Sequence, residues 1–299
     1  MEKSSEVFKS IASDTRQESP NKFKFGAVKK ILNNKRAKYC LLFLLLIVFV
    51  GIFAPLIAPY DPEEPFYDAI LSSPSAQHLL GTDEIGRDVL SRLIHGVQIT
   101  LSASALAVSI TFVIGTFIGL VCAYTGGVVD NILMRIMDVF LALPSIMLAL
   151  AIVAILGPSL TNAMIAVGIS SIPSFSRLIR GAAMTIKSSG FVEASQSIGS
   201  SNSWILRRHF LPNVAGVLLV YTMLFVGVAI LEIAALSFLG LGAQPPTPEW
   251  GAMLSEGKNY IYDAWWLATF PGVAITLVVL VVNFLGDALR DVFDTKSLE

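Results

Sequence analysis

Two places in the chain carry residue types able to do more than fill a membrane. The first reads Phe191-Val192-Glu193-Ala194-Ser195-Gln196-Ser197-Ile198-Gly199, then nine residues, then His209-Phe210-Leu211-Pro212. Phe191, Ala194, Ser195 and Ile198 recur at i, i+3, i+4 and i+7, which puts a small, mostly apolar stripe on one helix face. Gly199 can take positive φ and end that helix. Asn202 suits the N-cap of a second short helix running through Trp204 and Leu206 to Leu211, and Pro212 fits the first turn of the helix that follows. A helix–hinge–helix of this kind can dock into a groove on a partner. It can equally lie on the bilayer as an ordinary amphipathic loop, and periodicity alone does not separate the two. The second place is Glu232, an acid near the middle of a long apolar run, flanked by Ile230, Leu231, Ile233 and Ala234. An acid at that depth lines a pathway or packs against polar groups. Alone, without an intramembrane base or second acid, it makes no proton relay.

Other chemistry is missing its residues. The single Gly-Lys pair, Gly257–Lys258, is followed by Asn259 and has Ala252 where a phosphate-cradling loop needs glycine. His78, His95 and His209 stand apart from one another and from cysteine or carboxylate clusters, so no metal site is expected. No catalytic constellation appears, and any energy conversion belongs to another subunit. Cys40 and Cys122 sit in apolar stretches and read as small buried hydrophobes, with no disulfide framework.

The elements that must position these residues are apolar runs. Of 299 residues, 54% are hydrophobic and 14% charged, with a mean hydropathy of +0.70. A soluble domain carries about a quarter charged residues, so a soluble enzyme is excluded. Net charge −1 gives no reason to expect nucleic acid. Runs fall at about 39–59, 98–124, 139–157, 159–175, 213–239 and 268–288. Each approaches the roughly 20 residues a helix needs to cross about 30 Å of hydrocarbon. The fourth is the weakest, interrupted by Ser170, Ser171, Pro173 and Ser174, and a re-entrant segment there is the main rival reading. Six crossings with both termini inside put segments 1–38, 125–138, 176–212 and 289–299 on the inner side, with 18 of the 21 Lys and Arg. That bias follows the positive-inside rule. The basic cluster Lys29, Lys30, Lys35, Arg36 and Lys38 precedes the first run, and the polar tail ahead of it carries no cleavable signal. The chain thus divides into a polar and basic tail (1–38), a first helix (39–59), an outer segment (60–97), a five-helix domain (98–288) with an inner loop at about 176–212, and a short inner tail (289–299). In the other long outer segment, 240–267, Trp250, Tyr260, Tyr262, Trp265 and Trp266 read as interfacial anchors. Gly115 and Gly119 allow close helix approach.

Glu193-Ala194-Ser195, three residues, Gly199, nine residues and His209-Phe210-Leu211-Pro212 together resemble the EAA loop of ABC importer permeases. Ser195 stands for the second alanine of that pattern and His209 for its isoleucine. The stretches Leu80 to Arg92, Leu236 to Gly242, Pro246 to Gly251 and Leu285 to Asp291 resemble the second permease of dipeptide, oligopeptide and nickel importers, over about residues 40–295. The resemblance implies an all-α polytopic fold of six transmembrane helices in a bacterial cytoplasmic membrane. It implies a homologous permease partner, two cytoplasmic ATPases that bind the ATP and Mg, an extracytoplasmic binding protein, and alternating access. This chain would hold no cofactor of its own. Phe191, Glu193, Ala194, Ser195, Ile198, Gly199, Leu211 and Pro212 would then form the coupling loop, with Glu193 for a polar contact to the ATPase and Gly199 for the bend. Di- or oligopeptide is the expected cargo. Nickel or a metal chelate is the alternative within the family, and a stand-alone carrier the alternative outside it.

Overall fold

A computed structural model describes residues 34–205, 208 and 211–294, and among them it is built from helices, without a β-sheet. The first helix, α1 (Lys35–Ile52), is capped by Asn34, whose side chain accepts from the Arg36 and Ala37 amides. A single turn, α2 (Ala54–Ile57), follows a break at Phe53. The longest helix, α3 (Val89–Thr125), has 37 residues and so runs about 55 Å. Asp88 caps it, accepting from the Ser91 amide at 2.8 Å. Next come α4 (Gly127–Leu141) and α5 (Ser145–Leu156), bent 85° to each other across Ala142–Pro144. Proline disfavours the helical conformation of the residue before it, which puts the break at Leu143. Then α6 (Leu160–Lys187), α7 (Gly190–Ser197), α8 (Asn202–Ile205), α9 (Leu211–Phe238), α10 (Trp250–Gly257) and α11 (Trp266–Asp294) complete the order.

Three of these helices, α3, α9 and α11, are long and apolar enough to cross a membrane, and the bent pair α4–α5 makes a fourth if it is one span. The interruption expected in the fourth apolar run is absent, and the bend lies in the third. α6 is continuous through Ser170, Ser171, Pro173 and Ser174, and Pro173 leaves one rung unmade. Two serine hydroxyls bond within the helix, Ser170 Oγ donating to the Val167 carbonyl at 3.1 Å and Ser176 Oγ to the Ile172 carbonyl at 2.7 Å. Along its length α6 packs on α3. A β-carbon on Gly115 would stand 2.8 Å from the Phe175 ring, and one on Gly119 would stand 2.7 Å from the Ser176 carbonyl, so both glycines set that approach. Thr111 Oγ1 donates across it to the Gly168 carbonyl at 2.8 Å. One apolar core joins α3, α5, α6 and α9 through Ala107, Ala149, Val153, Ala166 and Ile233. A second gathers α3, α9, α10 and α11 around Ile230, Trp250 and Val278. The outward faces of α1 and α5 stay apolar and exposed at Leu42, Leu45, Phe49 and Ile155, as lipid-facing or partner-facing surface requires.

Candidate functional site

The helix–hinge–helix loop begins where α6 ends. Ser188 follows Lys187 as the helix cap, and α7 starts at Gly190. The side chains of Phe191, Glu193 and Ala194 lie outside the described residues, as do His209 and Phe210. Val192 and Ser195, one turn apart, are buried, so Ser195 faces the protein's own interior and not an exposed stripe. Ile198 is 82% exposed just beyond the helix. Gly199 has φ +78°, and the Ser200 amide donates back to the Ser195 carbonyl at 3.1 Å. This six-to-one bond with a left-handed residue inside it is the Schellman ending that turns a helix off sharply. A β-carbon on Gly199 would meet nothing within 4 Å, so conformation alone demands glycine there. The second helix is the short α8, and α9 opens at Leu211 with Pro212 in its first turn, where a missing N–H leaves no helical bond unmade.

Glu232 stands on α9 facing the bend. Ser145, the first residue of α5, donates its hydroxyl to Glu232 Oε1 at 2.5 Å. The residue is 9% exposed, and Oε2 is buried without a hydrogen-bond partner. The acid thus packs against the N-terminal end of α5, where the helix dipole favours negative charge. An apolar groove of about 450 Å³ lies between α3 and α9, lined among others by Val108, Phe112, Leu218 and Thr222. Thr222 and Ser109 turn their hydroxyls to carbonyls of their own helices, so the groove offers no ionic contact.

At the far end of the bundle, residues 60–88 and 240–265 fold together into a cap whose buried charges the sequence reading did not connect. Arg87 Nε donates to Asp83 Oδ2 at 2.5 Å and its Nη2 to Glu84 Oε1 at 3.2 Å. Arg92 Nη2 donates to Glu256 Oε2 at 3.1 Å, and its Nη1 to the Pro246 carbonyl at 3.2 Å. His78 Nδ1 bonds Asp88 Oδ1 at 2.9 Å. Asp83, Glu84 and Glu256 bring carboxylate oxygens within 4.8 Å of one another, a spacing a cation could use. Two guanidiniums already face those same oxygens, and the arrangement is an ion-pair network. Glu249 caps α10, accepting from the Ala252 amide at 2.9 Å. Burial pushes the Glu249 and Glu256 carboxyls above their ordinary range. Hydrogen bonds from the Gly251 amide and Ser237 hydroxyl oppose the shift at Glu249, and Arg92 opposes it at Glu256. Two of the five aromatics expected at the interface are instead pegs of this cap. Trp250 Nε1 donates to the Leu93 carbonyl at 3.0 Å and Trp266 Nε1 to the Thr82 carbonyl at 3.1 Å, both rings being buried. Tyr262, at 98% exposure, is open to its surroundings.

A bent span, a helix-and-hinge loop at one end and a charged cap at the other are the parts of a transport subunit, and comparison with known proteins agrees. Residues 115–298 match the family described as binding-protein-dependent transport system inner membrane component. The chain belongs to this permease family. Residues 26–74 match the N-terminal transmembrane domain of oligopeptide transport permease C. The permease is 48% identical over 270 residues to the di/tripeptide transport system permease protein DppC of Pseudomonas aeruginosa, covering 88% of this chain and 89% of that one. It is 49% identical over 256 residues to the glutathione transport system permease protein GsiD of Escherichia coli, covering 85% and 84%. In fold it is similar to a chain of the inward-facing MetNI methionine ABC transporter, with a TM-score of 0.56 at 22% identity, covering 67% of this chain and 96% of that one. An amino acid ABC transporter crystallised with histidines gives a TM-score of 0.52 at 20% identity, covering 69% and 94%. The permease is a multi-pass protein of the inner membrane.

Proposed function

We propose that this permease is one membrane half of an ATP-driven importer of di- and oligopeptides, working by alternating access. Its relatives carry di/tripeptides and glutathione, itself a tripeptide, and that common cargo class supports the assignment. The observation that carries the mechanism is the Schellman turn at Gly199, which ends α7 abruptly and leaves Ile198 exposed at its tip. In this reading α7 and its hinge dock in a cleft of a cytoplasmic ATPase, with Glu193 making a polar contact and Leu211–Pro212 seating the second arm. Two such ATPases hold the ATP and Mg, and this chain holds no cofactor. A homologous permease completes the bundle, and a binding protein delivers cargo to the cap. ATP can shift the inward–outward equilibrium only by the difference in docking energy between the two states.

The chain crosses the membrane six times with both termini inside, and α1 and α6 supply the two crossings beyond α3, the bent α4–α5 pair, α9 and α11. The tail 1–38, the first helix at 39–59, the outer segment 60–97, the five-helix domain 98–288 and the tail 289–299 follow from that topology. Glu232 steadies the bent span from within the bundle.

The test is uptake of radiolabelled dipeptide, glutathione and nickel by cells with and without the gene, each with and without ATP depletion. Peptide or glutathione uptake that needs both the gene and ATP is the expected result. Loss of nickel uptake alone would keep the importer and overturn its cargo. Gene-dependent uptake that survives ATP depletion would overturn the importer.

A further inference from the structure

At the loop end of the bundle three helices are fastened at one place. Arg180 on α6 donates from Nε and Nη2 to the two carboxylate oxygens of Asp130 on α4, each at 2.6 Å. Asp130 is 6% exposed. Two turns along α4, Asp138 pairs with Arg177, one turn before Arg180 on α6. Lys187, the last residue of α6, donates to the Ala123 and Tyr124 carbonyls at 3.0 and 2.8 Å, where the end of α3 favours a cation.

The two ends of α4 are built differently from its middle. Gly126 and Gly127, which join it to α3, have φ of +63° and +56°, and a β-carbon on either would meet nothing within 4 Å. Two successive left-handed residues in open space form a swivel. At the other end α4 meets α5 at the 85° bend, and just past that bend Ser145 holds Glu232 of α9. α4 is therefore a rod with a hinge at each end, fixed in between to α6 by side-chain ion pairs. A bidentate guanidinium–carboxylate pair fixes orientation as well as distance. Rotation of α6 is then passed to α4, where a single-point contact would let it slip. Only Ser188 and Ser189 separate α6 from α7.

We propose that the Arg180–Asp130 pair is the joint that carries movement of the docking helix into the bent α4–α5 span, with α6 as lever and α4 as the driven arm. This rests on the reading that α7 docks the ATPase. Arg180 and Asp130 are positioning residues: they touch neither nucleotide nor cargo. Their loss separates hydrolysis from transport, whereas loss of a purely stabilising pair lowers both together.

The experiment uses the intact complex, with its ATPases, partner permease and binding protein, reconstituted in liposomes. The probe is glycylleucine or glutathione, whichever the unaltered complex takes up, and the readout is uptake per ATP hydrolysed. Asp130→Asn and Arg180→Gln are expected to keep the ATPases bound and hydrolysing within about twofold, while uptake per ATP falls about tenfold, within the usual range of coupling between sites. The exchange Asp130→Arg/Arg180→Asp is expected to restore at least roughly half of it. Unchanged uptake per ATP in the single variants, or a parallel loss of hydrolysis and uptake with the complex assembled, would overturn the proposal. If a single variant fails to assemble, Arg180→Lys decides. It keeps the positive charge beside Asp130 and removes the two-point contact, so uptake per ATP drops if the joint passes rotation to α4 and stays unchanged if it does not. Recovery of ATPase subunits with a Glu193→Lys variant tests the docking contact separately: retained subunits with unchanged hydrolysis remove Glu193 from that contact, while the joint stands or falls on uptake per ATP.

Discussion

Replacing Gly199 separates a conformational requirement from a steric one. The residue sits at φ +78° with open space around its missing side chain, so a larger residue meets no clash. What it meets is the left-handed backbone penalty, about 1–2 kcal/mol for an ordinary L-residue. Asparagine tolerates this region better than alanine. Proline cannot adopt it at all, because its ring holds φ near about −65°. The expected order of function is therefore Gly, then Asn, then Ala, then Pro. Alanine should reduce the population with α7 correctly ended by a factor of about 5–30, the equivalent of about one to two kcal/mol. Proline should abolish the turn and the bond from the Ser200 amide to the Ser195 carbonyl. The assay is recovery of ATPase subunits with tagged permease, followed by binding-protein-stimulated hydrolysis and peptide uptake, with membrane insertion checked by protein level. Normal uptake by Gly199→Pro would refute the hinge. Asparagine and alanine variants failing equally would refute the left-handed backbone as its reason, since side-chain presence alone would then matter.

Glu193→Lys is expected to weaken ATPase recruitment, and unchanged co-purification with unchanged hydrolysis would remove Glu193 from the contact. Arg92→Met leaves the partly buried Glu256 facing only Arg87, and the loss is bounded by the about 3–5 kcal/mol that breaking a fully buried pair costs. Limited proteolysis should then cut the cap within residues 60–88 or 240–265, and Arg92→Met/Glu256→Met should be hurt less than the two single effects added. Glu249 is held above its ordinary pKa by burial, so the folded state keeps a proton the unfolded state gives up. Stability must therefore fall as pH rises from the ordinary carboxylate range through the raised value, and Glu249→Gln should flatten that part of the melting profile. An identical slope in the variant would show that Glu249 does not titrate in the cap.

The hinge at Gly199 and the long apolar helices were legible because their signals are local. The turn glycine acts over a few residues, and α7 ends where Gly199 says it must. The cap expected at Asn202 falls one residue earlier, where the Ser201 hydroxyl accepts from the Trp204 amide at 3.3 Å. The expected stripe is divided, with Ser195 buried and Ile198 exposed. The bend was legible too, since Leu143–Pro144 marks it, but the serines of the fourth run drew attention away. Serine interrupts a helix only when its hydroxyl competes for the backbone. In α6 Ser170 and Ser176 donate to carbonyls three and four residues back and take no backbone N–H from the ladder, which lacks only the rung that Pro173 cannot make. The cap was illegible for a different reason. Arg92 meets Glu256 across 164 residues, and Trp266 meets Thr82 across 184, distances over which no periodicity carries information. The trace left in the sequence was a pair of arginines and several acids in a segment otherwise poor in positive charge. A tryptophan beside a membrane reads as an anchor until a buried carbonyl is found for its indole N–H.

Where the polar bonds fall along the bundle limits how it can move. The cap is cross-linked by Arg87, Arg92, Glu249, Trp250 and Trp266, each reaching another element or capping one, so it shifts as a unit or not at all. The midsection is held mainly by apolar packing, which tolerates sliding, with side-chain links such as Thr111 to Gly168 and Ser145 to Glu232 as exceptions. At the loop end, ion pairs join rigid rods whose own termini are glycine swivels or a proline bend. A load applied at α7 meets stiff helices and soft corners there, and the first element free to respond is α4. The same load reaches the cap only through the full length of α3, α9 and α11. On the proposed Arg180–Asp130 joint, opening and closing would fall to the α4–α5 elbow, because the cap is the more heavily cross-linked end of the bundle.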